Sequence, residues 1–311
     1  MPTPTLIEVE SYDGEETFTI AGRGKGGHGV FLTDDGMQGA WEEQFSSIWN
    51  QHAFQVGADF GGVRINKSDI VIPVHIKATP GSTISENKSR WRKSWSKKKD
   101  STLFIEDEDS RRSMPLRISE TVGFDPKIDP NVVNYAQMVM TCVAKYPRWS
   151  EPDVIYPWTS PTDTTGVTFN PNNPLQGAAI KTFEITNPTD CDLWLQYRLQ
   201  AYPGARYILP DYSFGDNRYR MGEEHFDRKL VMPPLLAGEH LWINTDETED
   251  QVKSSLNTPM YIRMKGVRFL YPIPAYTVKP VELTIGVVGA PAGVGVQVIQ
   301  KREWTAPVGL Q

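Results

Sequence analysis

Phe183-Glu-Ile-Thr-Asn-Pro-Thr-Asp-Cys-Asp-Leu-Trp-Leu-Gln-Tyr-Arg-Leu199 decides the fold class of this chain. Leu193, Leu195, Tyr197 and Leu199 fall on one side of an extended strand, with Trp194, Gln196 and Arg198 on the other. This is the two-residue period of a half-buried strand. Asn187-Pro-Thr-Asp190 separates it from an apolar Phe183/Ile185 strand, and Pro, Asn and Asp are turn formers. The stretch therefore predicts a hairpin that builds a sheet and leaves nothing over for catalysis.

The same reading extends through the second half. Tyr207–Leu209, Lys229–Met232, Leu241–Ile243, Met260–Met264, Val281–Val287 and Val294–Ile299 read as strands at roughly ten-residue spacing, which indicates a β-sandwich. Pro147, Pro152, Pro157 and Pro161 form a stiff joint. The boundary is placed there, giving domains of residues 1–152 and 153–311.

The first half is mixed. Leu6–Val9, Phe18–Ile20 and Val30–Leu32 read as strands around a glycine-rich turn. Trp41–Trp49 fits either a helix or an extended arm. Val63–Ile76 predicts a hairpin turning at Asn66–Asp69, with Pro73 placing its second strand at an edge or bulge. Glu86–Lys98 predicts a helix capped by Ser85, with Trp91 and Trp95 on one face. Leu103–Ile105, Leu116–Ile118 and Val132–Val143 return to strand, the last apolar on both faces and so central and doubly covered. The expected fold is mainly β, a β-sandwich with one helix followed by a second β-sandwich.

Composition narrows the function. The 311 residues are 39% hydrophobic, 23% charged and 11% aromatic, values of a soluble globular protein. A net charge of -6 argues against a dedicated nucleic-acid binder. Cys142 and Cys191 lie too far apart in sequence to indicate a disulfide scaffold, which points to a reducing cytoplasm. The start, Met-Pro-Thr-Pro-Thr-Leu-Ile, has no basic region followed by an apolar core, so no secretory leader is expected. No apolar run approaches the roughly 20 residues of a membrane span, so no membrane insertion is expected.

Motifs that carry chemistry are weak. Gly22-Arg-Gly-Lys-Gly-Gly27 has dinucleotide-loop spacing, but the residues after it read as strand where a phosphate site needs a helix. None of the five histidines has helical metal-ligand spacing, and Glu224-His225 and Glu239-His240 read as surface pairs. Asp246-Glu-Thr-Glu-Asp250 reads as a solvated loop. No catalytic, cofactor or metal residue is expected. Arg90, Arg92, Lys93 and Lys97 surround the two helix tryptophans. They fit a solvated face, a contact between subunits, or nucleic acid, with Glu106-Asp-Glu-Asp109 a ready acidic neighbour.

The order of these pieces resembles the distal tail protein (Dit) of long-tailed, non-contractile phages, in the minor tail protein form found in phages of mycobacteria. The resemblance rests on Gly26-Gly-His-Gly-Val-Phe-Leu32, Val56-Gly-Ala-Asp-Phe-Gly-Gly-Val-Arg-Ile65, the Trp91/Trp95 helix before Thr102-Leu-Phe-Ile105, and Tyr135–Pro147. In the second half it rests on Ile185-Thr-Asn-Pro-Thr-Asp190 and Leu236-Ala-Gly-Glu-His-Leu-Trp-Ile-Asn-Thr-Asp246. It implies an N-terminal belt domain closing a hexameric ring at the virion tail tip, and a C-terminal galectin-like sandwich. The ring would be assembled in the host cytoplasm. It would join the tail tube to the baseplate hub or tail fibre proteins, meet the tape measure protein, and pass DNA only in transit. Trp41, Phe45, Trp49 and the basic helix are candidate contacts of such a ring. The galectin sugar elements are not present, so lectin activity is not carried over. The alternatives are a carbohydrate-binding module stacking sugars on Trp158, Trp194 or Trp242, and a hydrolase using the acidic residues.

Overall fold

Alternating apolar runs build two separate cores. The computed structural model describes residues 4–311; residues 1–3, at the start of the segment read for a leader, lie outside the described residues. The chain divides into two compact units, one reaching to Glu151 and including Trp304–Leu310, the other Pro152–Glu303.

The first unit contains β1 (Leu6–Glu10), β2 (Thr17–Ala21), β3 (Val30–Leu32), β4 (Phe45–Asn50), β5 (Asp59–Ile65), β6 (Ser68–Ile76), α1 (Ile84–Lys93), β7 (Ser101–Glu106), β8 (Arg111–Ile118), α2 (Pro130–Val133), β9 (Ala136–Ala144) and β10 (Trp149–Ser150). One antiparallel sheet runs β2-β1-β7-β8-β9-β6-β3. It bends at β8, whose Arg111–Leu116 pairs with β7 while Arg117 and Ile118 pair with β9. The bend lays Ile70, Ile72, Val74 and Ile76 of β6 and Met138, Met140 and Cys142 of β9 in one core with Ile7, Val9, Phe18, Leu103 and Ile105. Each such fully buried side chain contributes about 1.5–3 kcal/mol.

Helix α1 seals this core. Its N-cap is Thr83, not Ser85: Thr83 Oγ1 accepts from the Glu86 N–H and Glu86 accepts from the Thr83 N–H, the reciprocal box that a Thr-x-x-Glu sequence permits. Trp91 is wholly buried, edge-on to Phe18 at 5.2 Å and to Trp95 at 5.4 Å. The helix ends at Lys93, short of the expected Lys98, so Trp91 is buried from its last turn and Trp95 from just past its Ser94 C-cap.

Several sequence expectations change here. The Val63–Ile76 hairpin does not form. β5 pairs with β4, whereas β6 pairs with β9 along its whole length and with β3. β5 presents no buried face, so it has no place in the core beside β6. β6 is not an edge strand. Pro73 survives in it because its carbonyl accepts from Thr33, one residue past the end of β3, where no ladder N–H is required. β9 is central, but only one of its faces is fully buried. Its expected beginning at Val132 is instead α2, started by Asp129-Pro130 and ended by Asn134 at φ 50°.

The second unit contains β11 (Val154–Thr159), β12 (Ala179–Asn187), β13 (Leu195–Leu199), β14 (Arg206–Pro210), β15 (Lys229–Val231), β16 (Leu241–Asn244), β17 (Val252–Ser254), α3 (Met260–Arg263), β18 (Thr277–Val288) and β19 (Gly295–Gln300). Two antiparallel sheets, β11-β19-β13-β16-β17 and β12-β18-β14-β15, share one core. Phe183, Ile185, Leu283, Ile285 and Val287 come from one sheet, and Leu195, Tyr197, Leu199, Leu241, Ile243, Val296 and Val298 from the other.

The Phe183–Leu199 stretch is therefore not a hairpin. β12 and β13 belong to different sheets, and residues 188–194 carry the chain across the sandwich. Asn187, fully buried, holds the crossing. Its amide donates to the carbonyls of Cys191, Ile273 and Pro274 at 2.8, 3.2 and 3.0 Å, and its carbonyl oxygen accepts from Thr189. Alternation specifies which face is buried and leaves the partner strand open. Met260–Met264 is helical rather than extended, because Met260 and Met264, four apart, are both buried. The proline-rich segment contains β11, an edge strand that tolerates Pro157.

The chain returns to the first unit at β20 (Glu303–Trp304), which pairs with β10. Arg112, fully buried, binds this return. Its guanidinium lies 3.8 Å over the Trp304 ring and donates to the carbonyls of Ala306 at 2.8 Å and Gly309 at 2.9 Å. Glu151 faces it at 3.4 Å. The sequence reading assigned these last residues to the second domain.

Two outcomes follow from these buried charges. Truncation after Glu303 strips Arg112 of both carbonyls and the indole, and should destabilise the first unit by roughly 3–5 kcal/mol in denaturant unfolding. In the second unit, Glu239 is fully buried and not on the surface as expected. Burial by itself would raise its pKa, but donation from Thr258, the Leu236 N–H, Arg263 and Ser254 outweighs it and holds the carboxyl at about 2, below the ordinary 4.5. A depressed value stabilises the fold above the unfolded pKa, so this contribution, roughly 3 kcal/mol, should be lost as pH falls from 4.5 towards 2. Glu239→Gln should flatten that part of the stability–pH curve.

Candidate interaction surfaces

The hairpin β4–β5 is the one element among the described residues built entirely outside a core. Its strands pair only with each other, through Phe45↔Ile65, Ser47↔Val63 and, beyond a bulge, Trp49↔Phe60. Phe45, Trp49 and Phe60 are 61%, 60% and 59% exposed, and Phe54 and Val56 at its tip are fully so. Trp49 and Phe60 meet edge to face at 5.4 Å. Trp41, on the approach, is 38% exposed. An isolated two-stranded ribbon is marginal in water, and its outer edges carry unpaired N–H and C=O groups. Exposed large apolar side chains in such number mark a contact surface.

The basic helix is only partly free. Arg90 donates twice to Glu16, at 2.9 and 2.8 Å, and Arg92 and Lys88 lie over the Phe124 ring at 5.2 and 5.0 Å. Lys93 and Lys97 project into solvent. The expected acidic neighbour is engaged elsewhere. Glu106 accepts from Arg111 at 2.6 Å, and Asp107 caps the turn at Asp109 and Ser110.

Gly22–Gly27 forms a turn between β2 and β3 with no helix after it. Gly26, at φ 80°, is required there, because a Cβ would fall 2.0 Å from the Phe31 ring. Among the described residues no three His, Cys, Asp or Glu side chains gather around a common metal position. Cys142 and Cys191 are free and buried, and burial pushes the Cys142 thiol up to about 12, far from the thiolate needed for nucleophilic work.

In the second unit, the outer face of the five-stranded sheet carries a row, Pro157, Gln297, Arg198, Trp242 and Lys253, paired across five strands. The three candidate tryptophans separate here. Trp242 is 47% exposed in this row. Trp158 stands in register with buried Val296 and packs against the core, and Trp194 is half-buried ahead of β13. The sequence places Arg198 on a strand face and His240 on the surface, but that these two meet Gln200 and Gln297 depends on strand register, which residue spacing does not reveal.

Minor tail protein Gp27 of Mycobacterium phage D29 is 30% identical to the chain, with 100% of each covered. The chain belongs to this family of mycobacteriophage minor tail proteins. Minor tail protein Gp27 of Mycobacterium phage L5 is 28% identical, again over 100% of both chains. No protein-family model matches. Among solved structures, the SPP1 Dit protein superposes with a TM-score of 0.57 over 96% of this chain and 98% of its own, at 8% identity. A chain of the phage P2 baseplate in its activated conformation gives 0.51 over 96% and 98%, at 12% identity. The fold is Dit-like, and the minor tail protein is a structural component of the phage tail.

Hydrogen exchange tests the hairpin directly. In dilute solution the β4–β5 amides should exchange far faster than those of β9, since no core covers them.

Proposed function

We propose that this minor tail protein is the distal connector of the tail, a non-enzymatic subunit that closes into a ring, with six copies as the expected number. The β4–β5 hairpin carries the reading. Its two free edges and uncovered Phe45, Trp49 and Phe60 are satisfied when neighbouring copies pair their hairpins edge to edge. A contact between two different edges of one subunit generates a ring when the rotation closes. Lys93 and Lys97 are available to an acidic surface of a neighbouring copy.

In this reading the ring joins the tail tube protein to the baseplate hub, abuts the tape measure protein, and lets DNA pass through its lumen at the virion tail tip. The net charge of -6 favours a passage to which phosphates do not adhere. The buried acidic and thiol groups Glu239, Asp211 and Cys142 serve structure: Glu239 sits in its four-donor pocket, Asp211 pairs with Arg228 and the Leu270 N–H, and Cys142 lies in the core.

Native mass spectrometry of the purified protein, alone and with tail tube protein, should show a closed oligomer. Phe45→Asp combined with Trp49→Asp should leave monomers of unchanged thermal stability, since both side chains are exposed. A wild-type protein that stays monomeric in both conditions overturns the ring.

A further inference from the structure

We infer that the outer face of the five-stranded sheet in the second unit is a binding site for an acidic saccharide, a pyranose carrying a carboxylate or phosphate. The face is hollowed into a cleft of about 340 Å³, within the range of small-ligand sites. Its walls come from β11, β13, β16 and β19, with Gln200 directly after β13 and His240 directly before β16.

The floor is open because residue 295 is glycine. A Cβ there would stand 3.1 Å from Gln200 Oε1, which accepts the Gly295 N–H at 2.8 Å. That bond leaves the Gln200 amide nitrogen as a donor. His240 Nδ1 accepts from the Ala201 N–H at 3.3 Å, so the neutral ring carries its proton on Nε2 and presents a second donor. Gln297 and Arg198 line the same cleft with unengaged side chains, Arg198 directly opposite Trp242 in the ladder. Lys253 extends the row on the other side of Trp242.

Two properties of this lining identify the occupant. Trp242 gives a half-exposed aromatic plate, onto which the C–H face of a sugar ring packs while its hydroxyls turn to the flanking amides. The polar lining is donor-rich, contains the Arg198 cation and includes no carboxylate, in a chain of net charge -6. An uncompensated guanidinium beside free N–H donors matches an acceptor-rich anionic group, which charge-assisted bonds hold most strongly. A neutral sugar would leave the cation unmatched, and a bare anion would leave the indole uncovered. The inference does not depend on ring formation, since all its residues lie in the second unit.

The test uses the full-length protein on an array of oligosaccharides bearing uronic acids or sugar phosphates, printed beside their neutral parents. The tightest acidic binder and inorganic phosphate are then titrated by tryptophan fluorescence. Acidic oligosaccharides should be retained in preference to neutral ones. Trp242→Ala should weaken that binding about tenfold or more. Arg198→Gln should remove the preference for the acidic form, a loss of roughly tenfold to a hundredfold. Both side chains are exposed, so both variants should keep the wild-type melting profile. The site is overturned if no acidic glycan is retained, or if neutral parents bind equally. It is also overturned if Trp242→Ala binds as wild type, or if phosphate alone matches the saccharide's affinity.

Discussion

Every strand has two edges, and each backbone N–H and C=O along them needs a partner in protein or water. That requirement organises this chain more than any single side chain does. In the first unit the sheet bends at β8 and its end strands β2 and β3 approach each other, which shortens the exposed edge. Pro73 sits where β3 has ended, and Pro157 occupies the edge strand β11, so each ring nitrogen lies where no donor is needed. Against this background β4–β5 stands apart: both of its outer edges are open and its apolar side chains face solvent.

Buried polar groups act as fasteners between distant parts of the chain. Asn187 ties the crossing between the two sheets to Ile273 and Pro274, Glu239 ties three loops of the second unit together, and Arg112 ties the C-terminal segment into the first. Each is fully buried, so each would be costly alone, and each is matched by several partners. Arg112 is matched by neutral carbonyls and an indole as well as Glu151, which spreads its charge over groups of one unit. The second unit is thus an insertion between β10 and β20, two strands that pair with each other.

The two surfaces of interest differ in kind. The hairpin offers backbone edges and apolar rings, suited to another strand. The cleft beside Trp242 offers fixed donors around one aromatic plate, suited to a polar small molecule. The first surface would be consumed by self-assembly, whereas the second belongs to a sandwich complete in itself. In the proposed reading, copies join through the first unit and the second remains free for a ligand.

The sequence by itself determined the mainly β fold, the burial of Trp91 and Trp95, the strand faces of β6, β13 and β18, and the family. Periodicity is a local property, and side-chain alternation follows from it directly. Only the tertiary structure decided which strands pair. It turned the Phe183–Leu199 hairpin into a crossing between sheets, moved β5 from β6 to β4, made Met260–Arg263 a helix, and carried Trp304 back to Arg112. Phe45 and Trp49, four residues apart, fit a helix face as well as a bulged strand, so the arm could not be read from spacing. Arg198, Gln297 and Trp242 are distant in sequence and become neighbours through register alone. Hydrogen-bond pairing is non-local, and its free energy depends on which surfaces the whole chain can bury together.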